Sequence, residues 1–88
     1  MTNELQNLRA KIDSLDTELL RLLAKRTGIV KDIGALKKAE GVATLDEKRW
    51  KEMLESRLAL AKKFNVSPEF VKELFELIHQ HSLEIEQH

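Results

Sequence analysis

The chain has no cysteine, which removes both a disulfide framework and a thiolate metal site. That absence suits a reducing compartment. One proline and three glycines in 88 residues leave little material for turns, so long uninterrupted elements are expected. Neither charge is in excess, because 15 Lys and Arg balance 15 Asp and Glu. Non-specific nucleic-acid binding needs a basic surplus, and this balance argues against it. No apolar run approaches the ~18 residues of a membrane span. Met1-Thr2-Asn3-Glu4 lacks the basic and apolar regions of a signal peptide. A soluble cytoplasmic protein with neither a nucleic-acid nor a membrane partner is expected. Repeats, low-complexity stretches and linkers are also missing, so residues 1–88 are read as a single domain.

What is present is helical patterning. Apolar residues make up 42% and charged residues 34%, a mix that suits helices with large solvated faces. Leu5, Leu8, Ile12, Leu15, Leu19, Leu22, Arg26, Ile29, Ile33 and Leu36 alternate steps of three and four. This spacing places them on one stripe of a helix. The predicted first helix runs from about Asn3 to Glu40, with Thr2 as N-cap and Gly41 as the stop. It would be a rod of roughly 55 Å. Gly28 and Gly34 lie inside it, each costing about 1 kcal/mol against Ala. Close approach of another backbone or of a ligand would account for them.

Thr44-Leu45-Asp46-Glu47 reads as a capping box that opens a second helix, with Thr44 as the cap. Trp50, Met53, Leu54, Leu58, Ala61 and Phe64 form its apolar stripe, and Asn65-Val66 ends it. Ser67-Pro68-Glu69 starts a third helix, with Ser67 as N-cap. Phe70, Val71, Leu74, Phe75, Leu77, Ile78 and Ile85 are expected to face inward. The second and third helices span roughly 30 Å each. They would leave about half of the long seam wet, and a second copy is the natural cover. The expected architecture is all-α: three helices per chain, one long and two shorter, in an intertwined homodimer. A plain coiled coil is the alternative, but the later stripes are broader than heptads require.

Several polar residues interrupt the apolar faces. Arg26 stands where the seam calls for Leu or Ile. An unpaired buried charge costs several kcal/mol, so an acidic side chain, a bound carboxylate or a phosphate is expected to meet it. Lys37 follows by eleven residues, nearly on the same face and roughly 16 Å along the axis. The two cations could converge on a small dianion, unless Lys37 is simply solvated. Arg9 lies seventeen residues before Arg26, roughly 25 Å away. It could share a ligand with Arg26 only across a dimer, and is otherwise a surface arginine. Ile78, Ser82 and Glu86 form an i, i+4, i+8 line, where Ser82 could instead bond one turn back. Asp46 suits a first helical turn, and Arg49 at i+3 could pair with it. His79, His81 and His88 have no metal-site spacing. No glycine-rich phosphate loop and no nucleophile with an adjacent base is present.

Leu8-Arg9-Ala10-Lys11-Ile12-Asp13, Leu22-Leu23-Ala24-Lys25-Arg26, Ile33-Gly34-Ala35-Leu36-Lys37, Asp46-Glu47-Lys48-Arg49 and the final Ser82 and Glu86 together carry a resemblance. Over essentially its whole length the chain resembles the all-helical chorismate mutases. The resemblance implies an intertwined dimer with two sites built from both subunits. It also implies the Claisen rearrangement of chorismate to prephenate in phenylalanine and tyrosine synthesis. That reaction has no cofactor and no covalent intermediate. Arg26 would hold one substrate carboxylate, and Arg9 of the partner subunit the other. Lys37 would donate to the ether oxygen. Asp46 would meet the ring hydroxyl region, Arg49 would support the carboxylate end, and Ser82 would assist a carboxylate.

Two positions depart from the family pattern. Trp50 stands where a glutamate usually binds the ring hydroxyl. The resulting Arg49-Trp50 pair resembles a branch associated with DAHP synthase, implied here as a fusion or docking partner. Glu86 replaces a glutamine that donates to the ether oxygen. An ionised carboxylate cannot donate, so Glu86 is expected to work in its protonated form. Two other functions fit the same scaffold: a weakly active regulatory module of a shikimate-pathway enzyme, and an isochorismate pyruvate lyase. A purely structural helical dimer would leave Arg26 unexplained.

Overall fold

The computed structural model describes residues 2–87; Met1, His88 and the side chain of Thr2, the expected cap, lie outside what is described. The chain forms α1 (Thr2–Glu40), α2 (Glu47–Lys63) and α3 (Pro68–Gln87). The 39 residues of α1 predict a length of about 58 Å, which sets the longest dimension of a 60 × 25 × 15 Å molecule. Both interhelical stops are Schellman motifs. At the end of α1, Gly41 takes φ 69°, Val42 N–H donates to Lys37 O and Gly41 N–H donates to Lys38 O. At the end of α2, Asn65 takes φ 58°, with Val66 N–H on Ala61 O and Asn65 N–H on Lys62 O. Ser67 caps α3 as expected, accepting from Phe70 N–H at 3.3 Å.

The cap of α2 differs from expectation. Asp46, not Thr44, is the N-cap, and its Oδ1 accepts from Arg49 N–H at 3.0 Å. A carboxylate satisfies the first-turn donors and complements the helix dipole more strongly than a hydroxyl two residues upstream could.

The helix α3 packs against both other helices. It runs in the same sense as α1, since Ser82 meets Arg26 and Glu86 meets Gly34. It is antiparallel to α2, pairing His79 with Trp50 and Phe75 with Arg57. The face of α1 turned to α3 is not the heptad seam. Besides Arg26, the buried or half-buried positions are Leu23, Thr27, Val30, Gly34 and Lys37. Each lies one residue after a seam position, about 100° further round the helix.

The apolar members of the seam are uncovered: Leu5, Leu8, Ile12, Leu15, Leu19, Leu22, Ile29, Ile33 and Leu36 are all exposed within the chain, and only Arg26 among the ten is half-buried. The expectation that half would be covered is therefore corrected, because α3 takes the neighbouring stripe. Every residue from 3 to 22 is exposed. Phe70, Leu74 and Leu77 are exposed too, against expectation, since α3 offers the chain's core only the narrower line through Val71, Phe75, Ile78, Ser82 and Glu86; Phe64, the C-cap of α2, is also exposed. The buried apolar core is Val30, Met53, Ala61 and Val71. The accessible surface is 7427 Å², against about 5300 Å² for a compact monomer of this mass. The radius of gyration is 16.7 Å, against about 12 Å.

The two internal glycines of α1 differ. A Cβ on Gly34 would sit 2.9 Å from Glu86 Cα, so the bare backbone lets α3 come close. A Cβ on Gly28 would meet nothing within 4 Å, so close approach does not account for that glycine within the chain. Gly34→Ala should therefore lower the thermal midpoint, by about 1–3 kcal/mol of stability, as backbone must shift. Gly28→Ala should raise it by about 0.5–1 kcal/mol through helix propensity. Thermal melts of both variants check this pair, and equal shifts would contradict it.

Candidate active site

The C-terminal half of α1, the first turns of α2 and the second half of α3 enclose a cleft of about 230 Å³. Arg26 enters it from α1, half-buried. Its Nη1 donates to Ser82 Oγ at 2.8 Å, and Ser82 Oγ donates onward to Ile78 O at 2.9 Å. The serine thus bonds one turn back and accepts from the arginine at once. Its single proton is spent on the carbonyl, so in this state it orients Arg26. No carboxylate of the described residues lies within ion-pair distance of Arg26. Burial, then the Arg57 and Arg49 guanidiniums, pull the Arg26 pKa below its ordinary value. An arginine nonetheless stays charged at neutral pH, and the expected anion is not supplied by an acid among the described residues.

Lys37 is not a solvated lysine. Its Nζ donates to Thr44 O at 2.6 Å and lies 2.7 Å from Glu86 Oε1. Glu86 is only 8% exposed, and its Oε1 has no partner of good hydrogen-bonding geometry among the described residues. The contact with Lys37 is therefore an ion pair held off the ideal direction. Gly34 makes the pair possible, since it admits the Glu86 backbone against α1.

From α2 come Asp46, Arg49 and Trp50, all lining the same cleft. The Asp46 carboxylate engages the backbone N–H of Arg49, not its guanidinium. Seven of the eight residues singled out from sequence thus converge: Arg26, Lys37, Asp46, Arg49, Trp50, Ser82 and Glu86. Arg9 does not, being exposed on the free half of α1. Sequence reasoning missed three contributors. His79 stacks on Trp50, Thr44 contributes its carbonyl, and Arg57 adds charge behind Arg26 while lying 5.9 Å over the Phe75 ring. His79 could have been found, because it sits one turn before Ser82 on the line that ends at Glu86. Among the described residues no group of three His, Asp or Glu side chains is placed to hold a metal ion, and no helix is long and apolar enough to cross a membrane.

A half-buried guanidinium without a carboxylate, a second arginine and a lysine at one cleft suit a small polyanion. The sequence profile described as Chorismate mutase type II matches residues 8–87. This chain belongs to that family. A bifunctional chorismate mutase/prephenate dehydratase of Buchnera aphidicola subsp. Acyrthosiphon pisum is 35% identical over 81 residues, covering 92% of this chain and 21% of that protein. A chorismate mutase of Methanocaldococcus jannaschii is 29% identical over 82 residues, covering 93% of this chain and 83% of the relative. The T-protein of Haemophilus influenzae is 36% identical over 70 residues, 80% of this chain and 19% of that protein. The chain spans about a fifth of the length of the Buchnera and Haemophilus relatives.

Arg26 holds its charge against partial burial and two like charges, so its removal should favour the empty fold. Arg26→Met is expected to stabilise the ligand-free protein by about 1 kcal/mol or less, since the guanidinium is still part-solvated. Urea denaturation of both proteins without ligand tests this, and a marked loss of stability would contradict it.

Proposed function

We propose that this domain rearranges chorismate to prephenate, and that it does so as an intertwined homodimer. The observation that carries the proposal is the convergence of Arg26, Lys37 and Glu86 on one cleft whose arginine lacks an internal anion. Chorismate brings two carboxylates, an enol ether and a ring hydroxyl. In the rearrangement the ether C–O bond breaks as a C–C bond forms, within one molecule, and negative charge grows on the ether oxygen. The residues have only to fold the substrate into its reactive shape and stabilise that charge.

Arg26, oriented by Ser82, clamps one carboxylate bidentately, and Arg49 supports that end of the cleft. Lys37 donates to the ether oxygen. Glu86, when protonated, supplies a second donor to the same atom. Within the chain these two groups are paired with each other at 2.7 Å, so both face one point.

The dimer is supported by the uncovered seam and by about 2100 Å² of surface beyond that of a compact monomer. A free helical half of some twenty residues is marginal in water by itself. A partner's α1 laid antiparallel along the seam would carry its Arg9 to the cleft, supplying the grip for the second carboxylate. The Arg49-Trp50 pair supports membership of the branch that works with DAHP synthase, as a fusion or docking partner.

Loss of chorismate absorbance is the direct assay. Arg26→Ala should abolish turnover, and Lys37→Ala should lower kcat by about 100-fold or more. Glu86→Gln should raise kcat/KM, since an amide N–H donates to the ether oxygen where a carboxylate cannot; an unchanged or lower kcat/KM would remove the donor role from Glu86. The same assay with added DAHP synthase tests the partner, where an unchanged kcat/KM counts against docking.

Mixed dimers test the shared site. Arg9→Ala and Arg26→Ala chains, each inactive alone, should regain turnover when unfolded and refolded together, because one of the two sites then has both arginines. No recovery in a confirmed heterodimer would place Arg9 outside the site.

A further inference from the structure

Two rings at the cleft are left unused by the chemistry above. Trp50, in the first turn of α2, and His79, on α3, stack with centroids 4.1 Å apart and planes at 15°. Both are half-buried and both line the cleft. So close a stack covers one face of the imidazole and holds its plane. The stack leaves the opposite face and the ring edge, where the nitrogens lie. Among the described residues, no hydrogen bond uses a ring nitrogen of His79 or the indole N–H of Trp50.

The charge of this edge separates it from the rest of the cleft. Burial lowers the His79 pKa below 6.5, Glu86 pushes it back up, and Arg26 and Lys37 lower it again. The ring is therefore neutral at pH 7, with one donor and one acceptor nitrogen. A neutral imidazole has no ion-pair attraction for a carboxylate, but it matches a hydroxyl. Three other acceptors of the cleft already face donors of the chain: Asp46 Oδ1 holds Arg49 N–H, Thr44 O accepts from Lys37, and Glu86 Oε1 faces Lys37. Of the substrate's neutral groups the ether oxygen only accepts, while the ring hydroxyl beside it both donates and accepts.

We infer that the edge of His79, held flat by Trp50, hydrogen-bonds the ring hydroxyl of the substrate and sets specificity for it. The glutamate expected to bind that hydroxyl is replaced by Trp50, so the contact passes to the residue Trp50 supports. Trp50 acts as a positioning residue and His79 as the specificity residue. The inference rests on the chorismate mutase activity proposed above.

The test compares kcat/KM for chorismate and for its analogue lacking the ring hydroxyl. The wild type should prefer chorismate by about tenfold or more, since a site built for a hydroxyl leaves its polar edge unpaired on the analogue. His79→Phe keeps a flat ring on Trp50 and removes the hydrogen bond. It should cost chorismate about tenfold while leaving the analogue within about twofold. His79→Asn should retain part of the preference, and Trp50→Ala should erode it. An equal loss on both substrates would make His79 a packing residue and overturn the inference. So would an unaltered preference in His79→Phe, which would assign the hydroxyl to another group. Wild type that rearranges neither compound overturns the activity instead. The fluorescence of Trp50, the single tryptophan, then reports binding without turnover: tighter saturation by chorismate than by the analogue supports the contact, and equal saturation overturns it.

Discussion

A half-buried guanidinium with no carboxylate beside it organises this molecule. Arg26 is held by one serine hydroxyl, and that serine is held by a carbonyl of its own helix. Two further guanidiniums, on Arg57 and Arg49, work against its charge. Such a cluster is unfavourable in the empty protein and becomes favourable when an anion enters. Electrostatic catalysis has this character: the field is built before the substrate arrives, at a cost borne by the fold.

The long helix serves two faces that differ by a single residue of register. Leu23, Val30, Gly34 and Lys37 meet α3, while Leu22, Ile29, Ile33 and Leu36 remain exposed. Arg26 stands at the border of the two stripes. In the proposed dimer the partner helix covers the second stripe, so Arg26 lies where its own α3 and the partner meet. A clamp on two carboxylates then follows from helix periodicity, with one cation from each chain.

The Lys37–Glu86 pair shows how much chemistry can depend on a missing atom. Without a Cβ at Gly34, the last turn of α3 rests on α1, and Glu86 comes within 2.7 Å of Lys37. The Thr44 carbonyl anchors the same ammonium from the loop after Gly41. The ether-facing donors are thus placed by backbone features on three segments.

Much of this was legible beforehand. Helix ends follow from local chemistry, so Gly41, Asn65 and Ser67 marked them correctly. Periodicity marked Arg26 as misplaced in an apolar stripe, and resemblance to the family drew in the other cleft residues. Local chemistry also offered two caps for α2, and the more strongly charged Asp46 prevailed over Thr44 by position. Which stripe of α1 would be covered was not decided by periodicity, because the covered stripe, with Leu23, Val30, Gly34 and Lys37, is less apolar than the seam and only the packing of α3 selects it. The same holds for His79. From sequence it was one of three scattered histidines; the antiparallel packing of α2 on α3 put it against Trp50, 29 positions away, in the lining of the cleft. Sequence alone determined the helices, their ends and the cations, since these depend on neighbours within a turn or two. Tertiary structure decided which faces meet and which charges go unpaired, since those depend on contacts between segments far apart along the chain.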